Sequence, residues 1–314
     1  MFYPHHSFGN NWYYVTTPAA KTALQMHGRE ITYLVPFWFG VTETGGLVDQ
    51  SDPETVALAR QLNLPILAIV HNFASPEYGP VIHRLLTTEN LRQILVNSIL
   101  NMLIKNRFVG VNIDFEFVPP EGRSYMNTFM AELYHTLKCY GFLVTISVPP
   151  ELEDDPTHPF SGAFSYPALS NYSDAMYVLA YDEHVAEPGP IASIGFVRQV
   201  LSYAMSVIPR HKIRLGMAVY GRDWILANGL PEELSYAEAI NRAALHNATI
   251  QYDKNTEELT YNYVENGVPH IVWFEDVRSF QVRLNLARQL GIPGIAVWRL
   301  GLEDPRIWDL FSGY

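Results

Sequence analysis

With 314 residues, 48% of them apolar, the chain is long enough for two ordinary domains or one large α/β barrel with insertions, and its core is expected to be substantial. A formal net charge of -11 argues against nucleic acid or an anionic membrane as partner, since both select basic surfaces. One cysteine, Cys139, excludes an intramolecular disulfide framework and a Cys-rich zinc site.

The elements follow in chain order. The N-terminal MFYPHHSFGNN lacks the basic-then-apolar pattern of a secretion signal. Trp12 to Thr17 is β-rich, and Pro18 then opens a helix that Gly28 stops. Ile31 to Phe39 reads as a second strand, followed by a hairpin or loop through Gly45-Gly46. Ser51-Asp52-Pro53-Glu54 starts a helix running to Asn63. PILAIVHNF, Pro65 to Phe73, is a continuous apolar run, as expected for a parallel strand covered on both faces. A helix over 88–105 leads to FVGVNIDFEFV, Phe108 to Val118. Helices over 123–140, 194–208 and 276–290 then separate strands in FLVTISVP, Ala175 to Tyr181, IRLGMAVY and GIAVW. No apolar run of about 18 residues is present, so no membrane span is expected.

Strands therefore fall near residues 12, 31, 65, 109, 143, 175, 213 and 294, mostly with helices between them. Eight βα units in one chain of this length predict a closed (β/α)8 barrel occupying 1–314 as a single domain. An open doubly wound sheet is the runner-up, but no G-x-G-x-x-G follows the first strand. The stretch 225–272 breaks the rhythm. Its helix-like SYAEAINRAALHN and strand-like TIQYD and ELTYNYVENG predict a small α+β insertion after the seventh strand, with Asn266-Gly267 as a turn.

The stretch 108–118 carries the chemistry. Val109, Val111, Ile113, Phe115 and Phe117 alternate with Gly110, Asn112, Asp114 and Glu116, so the apolar set should cover one face and the polar set the other. Two close carboxyls in an enclosed site push each other's pKa values apart, which suits one of them for acid work. In a barrel, catalytic side chains sit at the C-terminal strand ends. The other ends read His71-Asn72, Tyr181-Asp182-Glu183-His184, Tyr220-Gly221-Arg222-Asp223-Trp224 and Trp298-Arg299. Carboxylates, tyrosines and a tryptophan round one mouth, without clustered histidines, suit acid catalysis on a sugar better than a metal site.

GVNIDFE resembles the D-x-x-D-x-D-x-E signature of glycoside hydrolase family 18, the chitinases and their relatives. AYD at 180–182 is similar to that family's M-x-Y-D, YGRDW to its Y-G-R-x-W before an insertion, and GIAVW to its closing strand. Within the family, NIDFEF, AYDEH with GPIAS, and VWFEDVRSF look most like the bacterial spore-cortex and cell-wall N-acetylglucosaminidases. The resemblance implies hydrolysis of β-1,4 bonds after N-acetylglucosamine in peptidoglycan or chitin-type oligomers, retaining and substrate-assisted. It makes Glu116 the acid/base, Asp114 the residue that orients the acetamide, and Tyr181 the holder of the acetamido oxygen. Trp298 would floor the pocket, and Asp182, Tyr220 and Arg222 would contact the sugar or support residues that do. Val109 and Asn112 depart from the signature. Asn112 stands where a second Asp is usual and is expected near the sugar, donating a hydrogen bond to Asp114. No metal and no cofactor are implied. The expected partner is an N-acetylglucosamine-containing polysaccharide, with neither nucleic acid nor membrane, for a monomer in the spore or cell envelope or outside the cell. Two rivals are a non-catalytic carbohydrate-binding relative and a metal-dependent barrel enzyme using Asp114, Glu116 and Asp182. Cys139, near a helix end, reads as a core thiol.

Overall fold

The structure, a computed structural model, describes residues 8–227 and 231–311; residues 1–7, part of the stretch read for a secretion signal, lie outside it. Its strands begin with β1 (Gly9–Tyr14), β2 (Tyr33–Val41), β3 (Leu47–Asp49), β4 (Leu67–His71) and β5 (Gly110–Asp114). They continue with β6 (Leu143–Val148), β7 (Ala175–Leu179), β8 (Ile213–Ala218), β9 (Gly221–Ile225) and β10 (Pro231–Leu234). The last four are β11 (Gln251–Asp253), β12 (Glu258–Glu265), β13 (Val268–Phe274) and β14 (Gly294–Trp298). The helices are α1 (Pro18–His27), α2 (Pro53–Gln61), α3 (Tyr78–Thr87), α4 (Glu89–Asn106) and α5 (Arg123–Lys138). They end with α6 (Tyr166–Asn171), α7 (Ile194–Val207), α8 (Tyr236–Leu245) and α9 (Val277–Gln289).

Strands β1, β2, β4, β5, β6, β7, β8 and β14 pair in parallel, in that order. The ring closes where β1 pairs with both β14 and β2, through Gly9 with Gly294 and Asn11 with Tyr33. This is a (β/α)8 barrel, and its eight strands are those read from the sequence. β3 is a short antiparallel addition to β2.

Alternation along each strand divides the core in two. Tyr13, Val35, Leu67, Ile69, Tyr177 and Ala296 pack together inside the barrel. Val111, Ile113 and Phe115 face outward and join Leu95, Ile99 and Phe129 between sheet and helices. Phe115 lies against Phe129 with ring centroids 5.5 Å apart. The polar set of β5 is thereby turned into the barrel. Helix ends follow local chemistry: Thr17, Asp52, Ser193, Ser235 and Asp276 each accept a backbone N–H in the first turn of the helix they precede.

The second sheet is antiparallel, in the order β10-β9-β13-β12-β11. One face is covered by α8, whose Ala239 and Ala243 pack with Tyr261, Tyr263, Val272 and Phe274. Asn266 and Gly267 have φ of 52° and 81°, the left-handed pair that a two-residue hairpin between β12 and β13 requires. The sheet runs from Gly221 to Phe274, a few residues wider on each side than the 225–272 of the sequence, because only Val219 and Tyr220 separate β9 from β8.

Three expectations are corrected. The alternation of β5 stops at Asp114, and Phe117 adopts a left-handed φ of 54° that turns its ring outward, 44% exposed. Cys139 caps α5 on the surface and is not a core thiol. α3 was not anticipated, because Gly79 and Pro80 in its first turn read as a loop.

Candidate active site

The loop after β5 is fixed by one side chain from the neighbouring strand end. Asn72, just beyond β4, accepts from the Glu116 backbone N–H at 2.9 Å and donates to the Glu116 carbonyl at 2.7 Å. This two-point clamp holds the backbone of Glu116 while its side chain stays free to face the mouth. The cavity there has a volume of about 590 Å³. Asp114, Glu116, Tyr181, Asp182, Tyr220, Arg222 and Trp298 all line it, so the structure brings together seven of the eight site residues expected from sequence.

The eighth, Asn112, does not reach the cavity wall. It is fully buried, with its amide donating to Thr145 Oγ1 at 3.0 Å and accepting from Ser147 Oγ at 2.8 Å. Neither bond is the one to Asp114 that the sequence suggested. A contact with sugar is unavailable to it.

Burial sets the protonation of the central pair. Removal from water raises the Asp114 carboxyl well above the usual carboxylate range. Glu116 is raised by burial first, and then by the charges of Asp114 and Asp182. Two such groups titrate as a pair, and the first to ionise holds the proton on the second. Glu116 faces two carboxylates, so it keeps its proton longest. Tyr181 and Tyr220 are both raised by burial and remain neutral hydroxyls.

The remaining carboxylates round the mouth already have partners. Asp182, at a left-handed φ of 59°, pairs with Arg222 at 2.7 Å and accepts from the Tyr220 hydroxyl. Arg222 also donates to the His184 carbonyl at 2.8 Å and lies over the Tyr220 ring. Glu183 accepts from the Ser193 N–H at 2.7 Å and its hydroxyl at 3.0 Å. Glu233, contributed by the second sheet, pairs with Arg299 at 2.7 Å. Trp298 lies 5.4 Å from the Tyr13 ring and edge-on to Phe37 at 6.1 Å, a flat apolar floor at the end of β14.

Sequence reasoning missed several residues of this site. Tyr13 and Ser147 line the cavity from β1 and β6, and each looks like an ordinary strand residue until the barrel closes. An aromatic lip was also missed. Phe117 packs edge-on to Phe160 at 5.4 Å and to Phe73 at 6.5 Å, with Tyr78 at 5.2 Å. The density of aromatic residues at 73, 78, 117 and 160, each after a strand end, was the available signal.

A closed barrel whose C-terminal mouth gathers raised carboxyls, neutral tyrosines and a tryptophan floor round one cavity defines a barrel glycosidase. The chain belongs to the glycosyl hydrolases family 18, whose model matches residues 39–303, and it is a glycoside hydrolase. It is 33% identical over 293 residues to a cortical fragment-lytic enzyme of Bacillus anthracis, covering 89% of this chain and 67% of that one. A cortical fragment-lytic enzyme of Bacillus subtilis is 30% identical over 301 residues, covering 92% and 70%. The crystal structure of the spore cortex-lytic enzyme SleL of Bacillus megaterium superposes with a TM-score of 0.90 at 26% identity, covering 98% of this chain and 74% of that one. A chitinase from Chromobacterium violaceum also reaches 0.90, at 25% identity and 98% coverage of both chains.

Proposed function

We propose that the protein hydrolyses β-1,4 bonds after N-acetylglucosamine in spore-cortex peptidoglycan, with retention, using the substrate's own 2-acetamido group as nucleophile. One observation carries this reading. Of the carboxylates lining the cavity, Asp182, Glu183 and Glu233 are held by protein partners, which leaves Asp114 and Glu116. Those two leave one strand end two residues apart, and so approach a sugar from the same side. A protein nucleophile opposite the acid is then lacking among the described residues, and the acetamide is the group that can take its place.

Glu116, protonated, gives its proton to the glycosidic oxygen as the bond to the anomeric carbon breaks. The acetamido carbonyl oxygen closes onto that carbon, giving an oxazolinium ion. Asp114, ionised, accepts the acetamido N–H and offsets the positive charge, while the Tyr181 hydroxyl donates to the acetamido oxygen. Water then opens the ring and Glu116 takes its proton back, which returns the original configuration. Trp298 supports the reacting sugar from below. Asp182, Tyr220 and Arg222 act as one bonded unit at the wall. The chain is read as a single catalytic domain, 1–314, with the second sheet forming one wall, acting as a monomer in the spore or cell envelope. The relatives' cortex-lytic names support peptidoglycan over chitin.

The test is digestion of purified spore cortex beside chitin oligomers, with the new reducing ends identified by mass spectrometry after borohydride reduction. N-acetylglucosaminitol from cortex is the expected product. Reduced muramic ends would overturn the assigned bond, and cleavage of chitin alone would move the substrate to chitin.

A further inference from the structure

A chain of hydrogen bonds runs beneath Asp114, and its direction can be derived from one end. Thr145 Oγ1 donates its only proton to the Val111 carbonyl, 3.1 Å away, which can only accept. Thr145 must therefore accept from Asn112, so the amide nitrogen of Asn112 faces Thr145 at 3.0 Å and its oxygen faces Ser147. Ser147 must then donate to that oxygen, at 2.8 Å. The Tyr13 hydroxyl, 2.6 Å from Ser147, is left as the donor of that last bond. Protons thus point one way, from Tyr13 through Ser147, Asn112 and Thr145 to the backbone of β5. All four side chains are buried, so water does not compete for these bonds.

Ser147 also lies within hydrogen-bonding reach of Asp114. It has one proton and two claimants. We infer that Asn112 is a positioning residue that holds the Ser147 proton away from Asp114, so that Ser147 presents an oxygen to that carboxyl. An oxygen beside a carboxyl favours its protonated form, whereas a donated proton favours the carboxylate. The other groups facing Asp114 are Tyr13 from β1, His71 from β4, Glu116 and Asp182 beside it, and Tyr181 from the end of β7. His71 accepts the Phe73 N–H on Nδ1, and burial lowers its pKa to about 4, so near neutral pH it brings no charge. An aspartate at residue 112 could share its proton and leave the direction open. The amide closes that choice.

This inference uses the proposed role of Asp114 only for its effect on catalysis, and the two are read separately. Asp114 is titrated in the free enzyme by carbon NMR of side-chain carboxyl groups, assigned by difference with Asp114→Asn. Asn112→Leu removes the acceptor, frees the Ser147 proton for Asp114, and should lower the Asp114 titration by about one pH unit. Ser147→Ala covers the case in which Asn112→Leu fails to fold. Because Ser147 gives Asp114 no proton in the native enzyme, this variant should leave the titration in place or lower it. A rise of about one pH unit in Ser147→Ala, or an unmoved titration in Asn112→Leu, overturns the inference. The acid limb of kcat/KM should move with the NMR titration. A titration that moves while the limb stays supports the one-way chain and overturns the role given to Asp114.

Discussion

Arg283, on α9, is the clearest place to test how the second sheet and the barrel hold the mouth together. Its side chain is 1% exposed, and it donates to the Ala192 carbonyl at 3.0 Å, the Ser279 carbonyl at 2.7 Å and Glu258 at 3.0 Å. Glu275, also buried, lies 3.6 Å away. Glu258, on β12, in turn accepts the N–H groups of Ile191 and Ala192 at 2.8 and 2.7 Å. Those residues end the loop that begins at Asp182, and Glu183 ties back to the Ile191 carbonyl at 3.0 Å. Arg283→Met removes the cation and strands two buried carboxyls. Glu275, already raised by burial, takes up a proton, but Glu258 is left to hold charge beside two N–H groups alone. Breaking a buried pair of this kind costs roughly 3–5 kcal/mol. With a urea m-value of about 3 kcal/mol/M, the midpoint of unfolding should fall by about 1–2 M with m unchanged. KM should rise as the Asp182 loop loosens. The triple variant Arg283→Met, Glu258→Leu, Glu275→Met should recover part of the loss, since no buried charge remains. A midpoint within about 0.3 M of wild type in Arg283→Met would refute the reasoning.

Two further outcomes follow from the site. Activity requires Glu116 protonated and Asp114 ionised, and both carboxyls are raised by burial. The rate should therefore climb as pH rises through the lower of the pair's two pKa values and fall as pH passes the higher. Both limbs lie above the ordinary carboxylate range near 4, and a plateau extending down to about pH 4 in the kcat/KM profile would contradict this. Phe117→Ala should raise KM for long glycans by about 2- to 10-fold and leave a disaccharide substrate nearly unaffected, because the ring stands on the lip. Equal losses on both substrates in steady-state kinetics would place Phe117 at the reacting sugar instead.

The barrel was legible because each buried strand is a short apolar run, and parallel strands covered on both faces leave that signature. The pair Asp114 and Glu116 was legible for a related reason: polar side chains alternating inside such a run are costly to bury without a purpose. What sequence could not show was where alternation ended. Nothing in NIDFEFV marks the left-handed turn at Phe117, which converts an apparent core residue into part of the lip. Asn112 was misplaced because its partners are 33 and 35 residues away on β6, and only closure of the ring brings Tyr13 to Ser147 across 134 residues. Asn72 was seen at a strand end, but its clamp on Glu116 depends on two loops meeting. Long-range polar contacts are set by register, and register is not written in any one segment.

The central claim is that Glu116 moves the proton and does little to hold the sugar. Its most direct test is Glu116→Gln, which keeps the shape and the Asn72 clamp on the backbone while removing the acid. Turnover of an N-acetylglucosamine oligomer should drop by roughly 10²–10⁴-fold. The oligomer's Kd, measured by calorimetry on the same protein, should stay within a few-fold of wild type. Turnover near the wild-type rate would contradict the account.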